Sequence, residues 1–242
     1  MAKENRLWTS LKFPLMLLVI MWSVQLFQII TTHDLGYMGI YPRNVNGLKG
    51  VLFSPFIHGT DISDHNIDKL MPRWQHLISN SPVFFVSTAI LMFFYRKVAV
   101  RAFIMLFFLC GLSVWIFGRP VYHIGASGVI YGLVSFIFWS GIFRRNVKSI
   151  ILALVVLFLY SGMLAGILPN QPGISWESHL LGGIMGVFVA YWYKEEIEQD
   201  EVQKLPSWET EPQANPEYFL RRDAFDKTKA ERAQDNDMGM WS

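Results

Sequence analysis

Six apolar stretches, each close to the length that crosses a bilayer as a helix, constrain the fold of this chain most strongly. A membrane-spanning helix needs roughly 20 mostly apolar residues. The chain has 52% hydrophobic and only 17% charged residues, which is too apolar and too poor in charge for a typical soluble domain. The sequence therefore predicts an all-α membrane protein built as a bundle of six transmembrane helices. The stretches cover residues 13–30, 77–95, 102–117, 124–143, 150–168 and 174–193.

Charge is distributed unevenly along the chain. Residues 1–193 contain 14 Lys and Arg against 6 Asp and Glu, whereas residues 194–242 contain 7 against 13. Basic residues flank the apolar stretches mainly on one side, and such flanks usually face the cytoplasm. We predict a cytoplasmic N-terminus over 1–12, a helical core over 13–193 with a long outer loop at 31–73, and an acidic cytoplasmic tail over 194–242.

Composition also excludes some kinds of site. Cys110 is the single cysteine, so the chain has neither an internal disulfide nor a cysteine-based zinc site. The basic residues border apolar stretches and form no patch suited to nucleic acid. We therefore expect no cofactor, no metal and no nucleic-acid partner. The histidines of the first loop are predicted to be ordinary solvated residues, and His123 is assigned a structural role; the loop histidines are His33, His58 and His65.

Polar residues interrupt the apolar stretches at three places: His76 with Asn80, Ser127, and His179. Ionisable and nucleophilic groups are costly inside a bilayer, so each is a functional candidate. Counted from the basic residue that follows each stretch, Asn80, Ser127 and His179 are 16, 17 and 15 residues away. At 1.5 Å per residue these separations correspond to rises of about 24, 25 and 22 Å. Because the three helices are predicted to run in the same direction, the side chains are expected at one level.

A serine and a histidine at one level suggest a catalytic dyad. A serine hydroxyl becomes a good nucleophile when a neutral histidine accepts its proton. We predict Ser127 as the nucleophile and His179 as the general base. The Asn80 amide, the Ser127 backbone N–H and His76 are candidate donors to an oxyanion. Since no carboxylate lies on the face of His179, Tyr131, one helical turn after Ser127, is expected to hold the base by stacking.

Glycines accompany both members of the predicted dyad. Gly125 and Gly128 flank Ser127, and Gly182 and Gly186 lie on the same helix face as the histidine. Small residues at such spacing let membrane helices approach backbone to backbone. We therefore expect the two helices to be in close contact at these glycines.

These motifs together resemble those of the rhomboid family of intramembrane serine proteases. They are similar to the family's G-x-S-G and the aromatic residue that follows the serine by four, to its sixth-helix H-x-x-G-x-x-x-G, and to its second-helix H-x-x-x-N. The matching segments are G-A-S-G at 125–128 followed by Tyr131, H-L-L-G-G-I-M-G at 179–186, and H-L-I-S-N at 76–80.

The resemblance implies a six-helix core with a water-filled cavity, in which the fifth helix and its following loop form a lateral gate. It implies an endopeptidase that cuts transmembrane segments of membrane-protein substrates after a small residue, with the lipid bilayer as surroundings. We expect a multi-pass protein of a bacterial inner membrane. The first outer loop departs from the family, because it has Tyr41-Pro42-Arg43-Asn44 where many members have Trp-Arg, and because residues 60–73 add polar positions.

Two other functions stay open at this point. The chain is either catalytic or an inactive rhomboid-like protein that binds or escorts membrane helices, but such relatives are expected to lack the nucleophile or the base. A small transporter would show internal repeats or helices broken in mid-membrane. The sequence has no such repeat, and its Gly and Pro breaks fall at helix ends.

Overall fold

Long apolar helices make up most of the structure, a computed structural model that describes residues 6–59, 67–145, 147–169, 175–196, 226 and 228–231. The chain divides into two compact units, Met1–Val202 and Gln203–Ser242. In the second unit the described residues include a short helical turn, where the backbone N–H and hydroxyl of Thr228 each donate to Glu231 at 2.7 Å. The helices of the first unit are α1 (Arg6–Thr31), α2 (Gly50–Phe53), α3 (Ile67–Phe94), α4 (Ala99–Phe117), α5 (Ser127–Arg144), α6 (Val147–Tyr160) and α7 (Trp176–Trp192).

The helices differ from the predicted stretches mainly at their ends. The stretch predicted at 150–168 is α-helical only to Tyr160 and continues as the 3-10 helix Ser161–Ile167. At 14 and 17 residues, α6 and α7 are shorter than the other predicted spans. The all-helical membrane fold is therefore confirmed for the described residues, which contain no β-strand, while the count of six spans stays a prediction. Within the described ranges, the helices long and apolar enough to cross a membrane are Arg6–Thr31, Trp74–Phe94, Ala99–Phe117 and Ser127–Arg144.

The start of α5 is later than the predicted stretch 124–143. Gly125 has φ +102°, a left-handed conformation that glycine adopts easily and other residues rarely do. This turn keeps Gly125 out of the helix, and the first helical hydrogen bond joins Ile130 N–H to the carbonyl of Ala126 at 2.9 Å. Ser127 consequently becomes the first residue of α5 rather than a residue inside a helix.

Helix α5 lies in the centre of the bundle and packs against α3, α4, α6 and α7. Leu133, Phe136 and Ile137 on α5 are completely buried. Lipid tails are as apolar as these side chains, so contacts between membrane helices depend on close packing rather than on escape from water. The large buried side chains of α5 fill the space between the neighbouring helices and satisfy that requirement.

The contact between α5 and α7 is a backbone contact. A Cβ atom added at Gly182 would overlap the carbonyl oxygen of Gly128, and one added at Gly186 would overlap the carbonyl oxygen of Gly132. Only glycine allows the two helices to approach this closely. The glycines therefore set the distance between the helix that begins with Ser127 and the helix that carries His179.

The outward faces of the bundle are apolar. The exposed fraction is 57% for Val19 and 78% for Ile30 on α1, and 82% for Phe158 on α6. Soluble proteins rarely expose contiguous apolar surface of this extent. The exposed side chains are those expected of helices that face lipid.

Helices α3, α5 and α7 run in the same direction. At one end of the bundle the Arg144 guanidinium lies 4.8 Å from the centre of the Tyr95 ring and donates to the Glu196 carbonyl at 3.2 Å. These contacts join the C-terminal ends of α5, α3 and α7. At the other end the His76 ring, near the start of the apolar span Trp74–Phe94 of α3, lies against Gly125 just before α5. Gly128 at the start of α5 lies against Ser178 at the start of α7. The N-terminal parts of the three helices therefore meet at one end of the bundle.

Candidate active site

Ser127 occupies the N-terminus of α5. The first backbone N–H groups of an α-helix have no partner within the helix, and they give this end a partial positive charge. The segment just before Ser127 is held by the first loop, because Gly125 N–H donates to the Ser54 carbonyl at 2.8 Å and Ala126 N–H donates to Nε2 of His58 at 3.2 Å. The Ser127 and Gly128 N–H groups belong to the first turn of α5, whose N–H groups have no partner within the helix.

His179 is buried in the first turn of α7, with 8% of its surface exposed. Its ring stacks on the Tyr131 ring, with centroids 4.2 Å apart and an interplanar angle of 10°. Its Nδ1 atom lies 2.8 Å from the carbonyl oxygen of Gly166. Two contacts, one on the ring face and one at the ring edge, thus determine the orientation of the imidazole.

The structure places Ser127 and His179 on facing helices at neighbouring positions. A Cβ atom added at Gly128 would lie 3.3 Å from the Ser178 carbonyl oxygen, so the residue after Ser127 contacts the residue before His179. Tyr131, one turn after Ser127, supplies the ring on which His179 stacks. The described structure contains no hydrogen bond between the Ser127 hydroxyl and the His179 ring. Catalytic hydrogen bonds are often long without substrate and tighten in the complex.

Asn80 and His76 occupy the first turns of the apolar part of α3, but their hydrogen bonding differs. Nδ2 of Asn80 is buried and has no partner among the described residues, so its two protons are available. Nδ1 of His76 lies 3.2 Å from the carbonyl oxygen of His58 and must donate to it. In a neutral His76 ring Nε2 then carries the lone pair and has no proton to offer. The amide is consequently the better donor for an oxyanion, and His76 donates from Nε2 only when protonated.

His58 is a buried part of this site, and the prediction that it is a solvated loop residue is wrong. Only 1% of its surface is exposed, and its Nε2 accepts the N–H of Ala126. Burial and the neighbouring His76 ring, 5.3 Å away between centroids, lower the pKa of His58 to about 3. His58 stays neutral because a proton on Nε2 would remove the lone pair that accepts the Ala126 N–H.

The sequence contained a signal for this burial. The segment from 51 to 57 is rich in Val, Leu, Phe and Ile, and an apolar loop segment packs against the bundle rather than facing water. His33 is exposed, as predicted, and His65 lies outside the described residues.

His123 connects the loop before Ser127 to the start of α7. Its Nε2 donates to the Arg119 carbonyl at 3.0 Å, so the neutral ring accepts the Ser175 hydroxyl at Nδ1, at 2.5 Å. Ser175 is in turn 2.6 Å from the Ser178 hydroxyl. Burial lowers the pKa of His123, which favours this neutral form. The assigned structural role of His123 agrees with these contacts.

An ion pair joins the same two segments. Nε of Arg119 lies 2.7 Å from Oε1 of Glu177, whose side chain is buried while the arginine is half-exposed. Glu177 is two residues before His179 but directs its carboxylate to Arg119. The loop that leads to Ser127 and the helix that carries His179 are thus connected by both a hydrogen-bond chain and a charge pair.

Arg43 holds the first loop against the end of α4. Its guanidinium donates to the carbonyls of Ile116 and Gly118 at 3.1 and 2.7 Å. Its backbone N–H donates to the Trp115 carbonyl at 2.9 Å. Arg43 thereby satisfies carbonyl groups that the end of a helix leaves without partners. Part of the added polar segment, residues 60–66, lies outside the described residues.

An apolar cavity of about 310 Å³ extends from Tyr131 toward the basic end of the bundle, between α5, α6 and α7. Ser135, one of its few polar lining residues, donates to the Gly183 carbonyl at 2.7 Å and is satisfied. The cavity therefore suits apolar groups. It is lined by Tyr131, Val134, Ser135, Phe138, Trp139, Val156, Tyr160, Ile167, Leu180, Gly183, Ile184 and Val187.

Comparison with known proteins identifies the family. The family model for the Rhomboid domain matches residues 72–196, a segment that includes Asn80, Ser127 and His179. An uncharacterized protein of Mycobacterium tuberculosis (strain ATCC 25618 / H37Rv) is 32% identical over 185 residues, which cover 71% of this chain and 70% of that protein. An uncharacterized protein of Mycobacterium leprae (strain TN) is 31% identical over 187 residues, which cover 72% and 67%. No solved structure matches the chain significantly. With this domain match and these apolar helices, the chain belongs to the rhomboid family and is an integral membrane protein.

Proposed function

We propose that the protein is an intramembrane serine endopeptidase in which Ser127 is the nucleophile and His179 the general base. The observation that supports this most directly is the orientation of the His179 ring by Tyr131 and Gly166. With its proton on Nδ1, the neutral ring has its lone pair on Nε2, the form that accepts a proton from a serine.

The reaction proceeds through an acyl-enzyme. The Ser127 hydroxyl attacks the carbonyl carbon of the scissile peptide bond while Nε2 of His179 accepts its proton. The resulting oxyanion receives hydrogen bonds from the Ser127 backbone N–H and the Asn80 amide. His179 then gives the proton to the leaving amine as the C–N bond breaks, and water releases the acyl group by the same steps in reverse order.

The proposal includes six membrane spans, with α6 and α7 as the fifth and sixth. Basic residues concentrate at the end of the bundle opposite Ser127, which supports a cytoplasmic position for that end and for both termini. The mycobacterial relatives support a bacterial inner membrane.

The proposed substrates are transmembrane segments of other membrane proteins, cut after a small residue. The apolar cavity that begins at Tyr131 supports an apolar substrate. We propose that substrates enter beside α6 and the 3-10 helix Ser161–Ile167, which together act as a lateral gate. The exposed apolar face of α6 is suited to contact with a substrate helix.

The decisive experiment is cleavage of a transmembrane reporter in liposomes by four variants. Ser127→Ala and His179→Ala are each expected to abolish cleavage. Ser113→Ala is the matched control for a buried membrane serine, because its hydroxyl only donates to the Cys110 carbonyl of its own helix. His33→Ala is the control for the base, because His33 is exposed in the first loop. Unchanged cleavage by either of the first two variants contradicts the assignment.

Labelling with a serine-reactive fluorophosphonate separates this function from that of an inactive protein that binds membrane helices. A catalytic dyad predicts a label on Ser127 that His179→Ala prevents, since the probe reacts with an activated serine. If the protein only binds membrane helices, we expect no label on Ser127 in the wild type or in His179→Ala, even if the protein captures the reporter.

A further inference from the structure

Gly166 supplies the hydrogen-bond acceptor of the proposed base. It lies in the 3-10 helix Ser161–Ile167, after α6 has ended, and its carbonyl oxygen is 2.8 Å from Nδ1 of His179. A carbonyl oxygen only accepts, so the shared proton is on Nδ1. A neutral imidazole carries one proton, which leaves Nε2 as the basic nitrogen.

In a Ser-His-Asp triad this task belongs to a carboxylate, which selects the tautomer and orients the ring. The acidic residue nearest to His179 along the described part of α7 is Glu177, and its carboxylate is paired with Arg119 at 2.7 Å. The Gly166 carbonyl therefore occupies the place at Nδ1 that a carboxylate has in a triad. Its smaller charge suits a site inside a membrane, where an additional buried carboxylate is costly.

The contact explains why residue 166 is glycine. A Cβ atom added there would overlap the Tyr131 hydroxyl and lie 3.1 Å from Nδ1 of His179. A side chain would therefore displace the carbonyl or the stacked rings. A Cβ atom added at Gly162, in the same 3-10 helix, would meet no atom within 4 Å. The two glycines differ in this respect although they share one segment.

We propose that Gly166 is a positioning residue whose backbone carbonyl holds His179 in the tautomer that accepts the Ser127 proton. This inference rests on the proposed function and adds to it the group that takes the place of the triad carboxylate. The 3-10 helix packs against α7, whereas α6 packs mainly on α5. The hydrogen bond that selects the tautomer of the base is therefore made only while this segment, part of the proposed gate, rests on α7.

The first test compares Gly166→Ala with Gly162→Ala in the full-length protein. Gly166→Ala is expected to lower kcat for reporter cleavage at least about tenfold with KM changed less than about twofold, because the orientation of the base is lost while substrate contacts stay. Gly162→Ala is expected to match the wild type. Equal kcat values for the two variants overturn the proposal.

A second variant adds no side-chain atoms, and a matched control loses one backbone N–H in the same segment. Replacing Ile167 by its α-hydroxy acid converts the peptide bond after Gly166 to an ester, whose carbonyl is a weaker acceptor. A loss of about 1 kcal/mol in this hydrogen bond corresponds to roughly a fivefold lower rate of fluorophosphonate labelling. The same replacement at Met163 weakens the Gly162 carbonyl and is expected to leave labelling unchanged. Equal labelling rates for the two esters contradict the role of the Gly166 carbonyl.

The tautomer itself is measured by ¹⁵N NMR of histidine-labelled protein at about pH 9, above the usual range of histidine titration. The His179 signals are those missing from His179→Ala. The wild type and Gly162→Ala are expected to show a protonated Nδ1, and Gly166→Ala a mixture of tautomers. A wild-type His179 with its proton on Nε2 overturns the proposal. This readout needs no activity, so the expected tautomers without any cleavage would contradict the proposed protease while supporting the contact.

Discussion

The backbone N–H of Ala126 donates to Nε2 of His58 across 3.2 Å, which attaches the first loop to the residue that precedes Ser127. The same loop segment supplies the Ser54 carbonyl to Gly125 and the His58 carbonyl to His76. One buried histidine thus contacts both the turn that starts α5 and the helix that carries Asn80. Its contacts are those of a residue that fixes the geometry of the site.

His58→Ala is expected to destabilise the protein and to slow fluorophosphonate labelling of Ser127. The substitution leaves the buried Ala126 N–H without an acceptor, which costs about 1–3 kcal/mol. His58→Gln, whose amide oxygen is able to accept, is expected to recover part of the loss. Thermal unfolding in detergent measures the effect, with the exposed His33→Ala as control. A His58→Ala protein as stable as His33→Ala would show that the hydrogen bond is unimportant.

Stability is expected to depend on pH through His58. Its pKa is about 3 in the folded protein against an ordinary value of 6.5, so between these values the unfolded chain binds a proton that the folded protein does not. This contribution to stability is complete above about pH 6.5 and declines as the pH falls toward 3, by up to about 1.4 kcal/mol per pH unit. Unfolding temperatures between these pH values should fall less steeply for His58→Gln than for the wild type. If the unfolding temperatures of both proteins fell equally with pH, His58 would not be held neutral in the folded protein.

Asn80→Ala is expected to lower kcat about 10²- to 10³-fold, the usual effect of removing one oxyanion donor. Nδ2 of Asn80 is buried without a partner in the described structure, so its protons become useful only when charge develops on the substrate. KM should change little. Ser79→Ala is the matched control, because the Ser79 hydroxyl is exposed and donates to the His76 carbonyl. Cleavage rates for Asn80→Ala within twofold of that control would exclude the amide as a donor.

Gly182→Ala is expected to lower the free energy of unfolding by about 1–3 kcal/mol, since its Cβ would overlap the Gly128 carbonyl and force α5 and α7 apart. Gly183→Ala is expected to be neutral, because a Cβ there would meet no atom within 4 Å. The two variants have the same composition and helix propensity, so a difference in unfolding temperature isolates the contact. Equal values would contradict the backbone contact.

Arg119→Ala is expected to be more destabilising than Glu177→Gln. Removing the arginine leaves a buried carboxylate without its charge partner, whereas the glutamine substitution removes the buried charge itself. Because Arg119 is half-exposed, we expect a loss of about 1–3 kcal/mol rather than the full cost of a buried pair. The double variant should unfold at a higher temperature than Arg119→Ala alone. Strictly additive effects would indicate that the two side chains do not interact.

Much of the fold and of the candidate site follows from local rules. Apolar length predicts the long helices, and basic flanks predict the common direction of α3, α5 and α7, which the contacts of Arg144 and His76 show. Helical spacing places Tyr131 one turn after Ser127, where the structure has it stacked on His179. Helix ends were less predictable, because the left-handed Gly125 turn that starts α5 depends on contacts with the first loop.

The amino-acid sequence alone determined the membrane-spanning character and the family motifs, because these depend on composition and on spacing along the chain. Tertiary structure decided which groups complete the site. His58 meets Ala126 across 68 positions, and the Gly166 carbonyl reaches His179 from a 3-10 helix where an α-helix was expected. Hydrogen-bond partners and tautomers depend on how separate segments pack against each other, and no periodicity within a single segment records that packing.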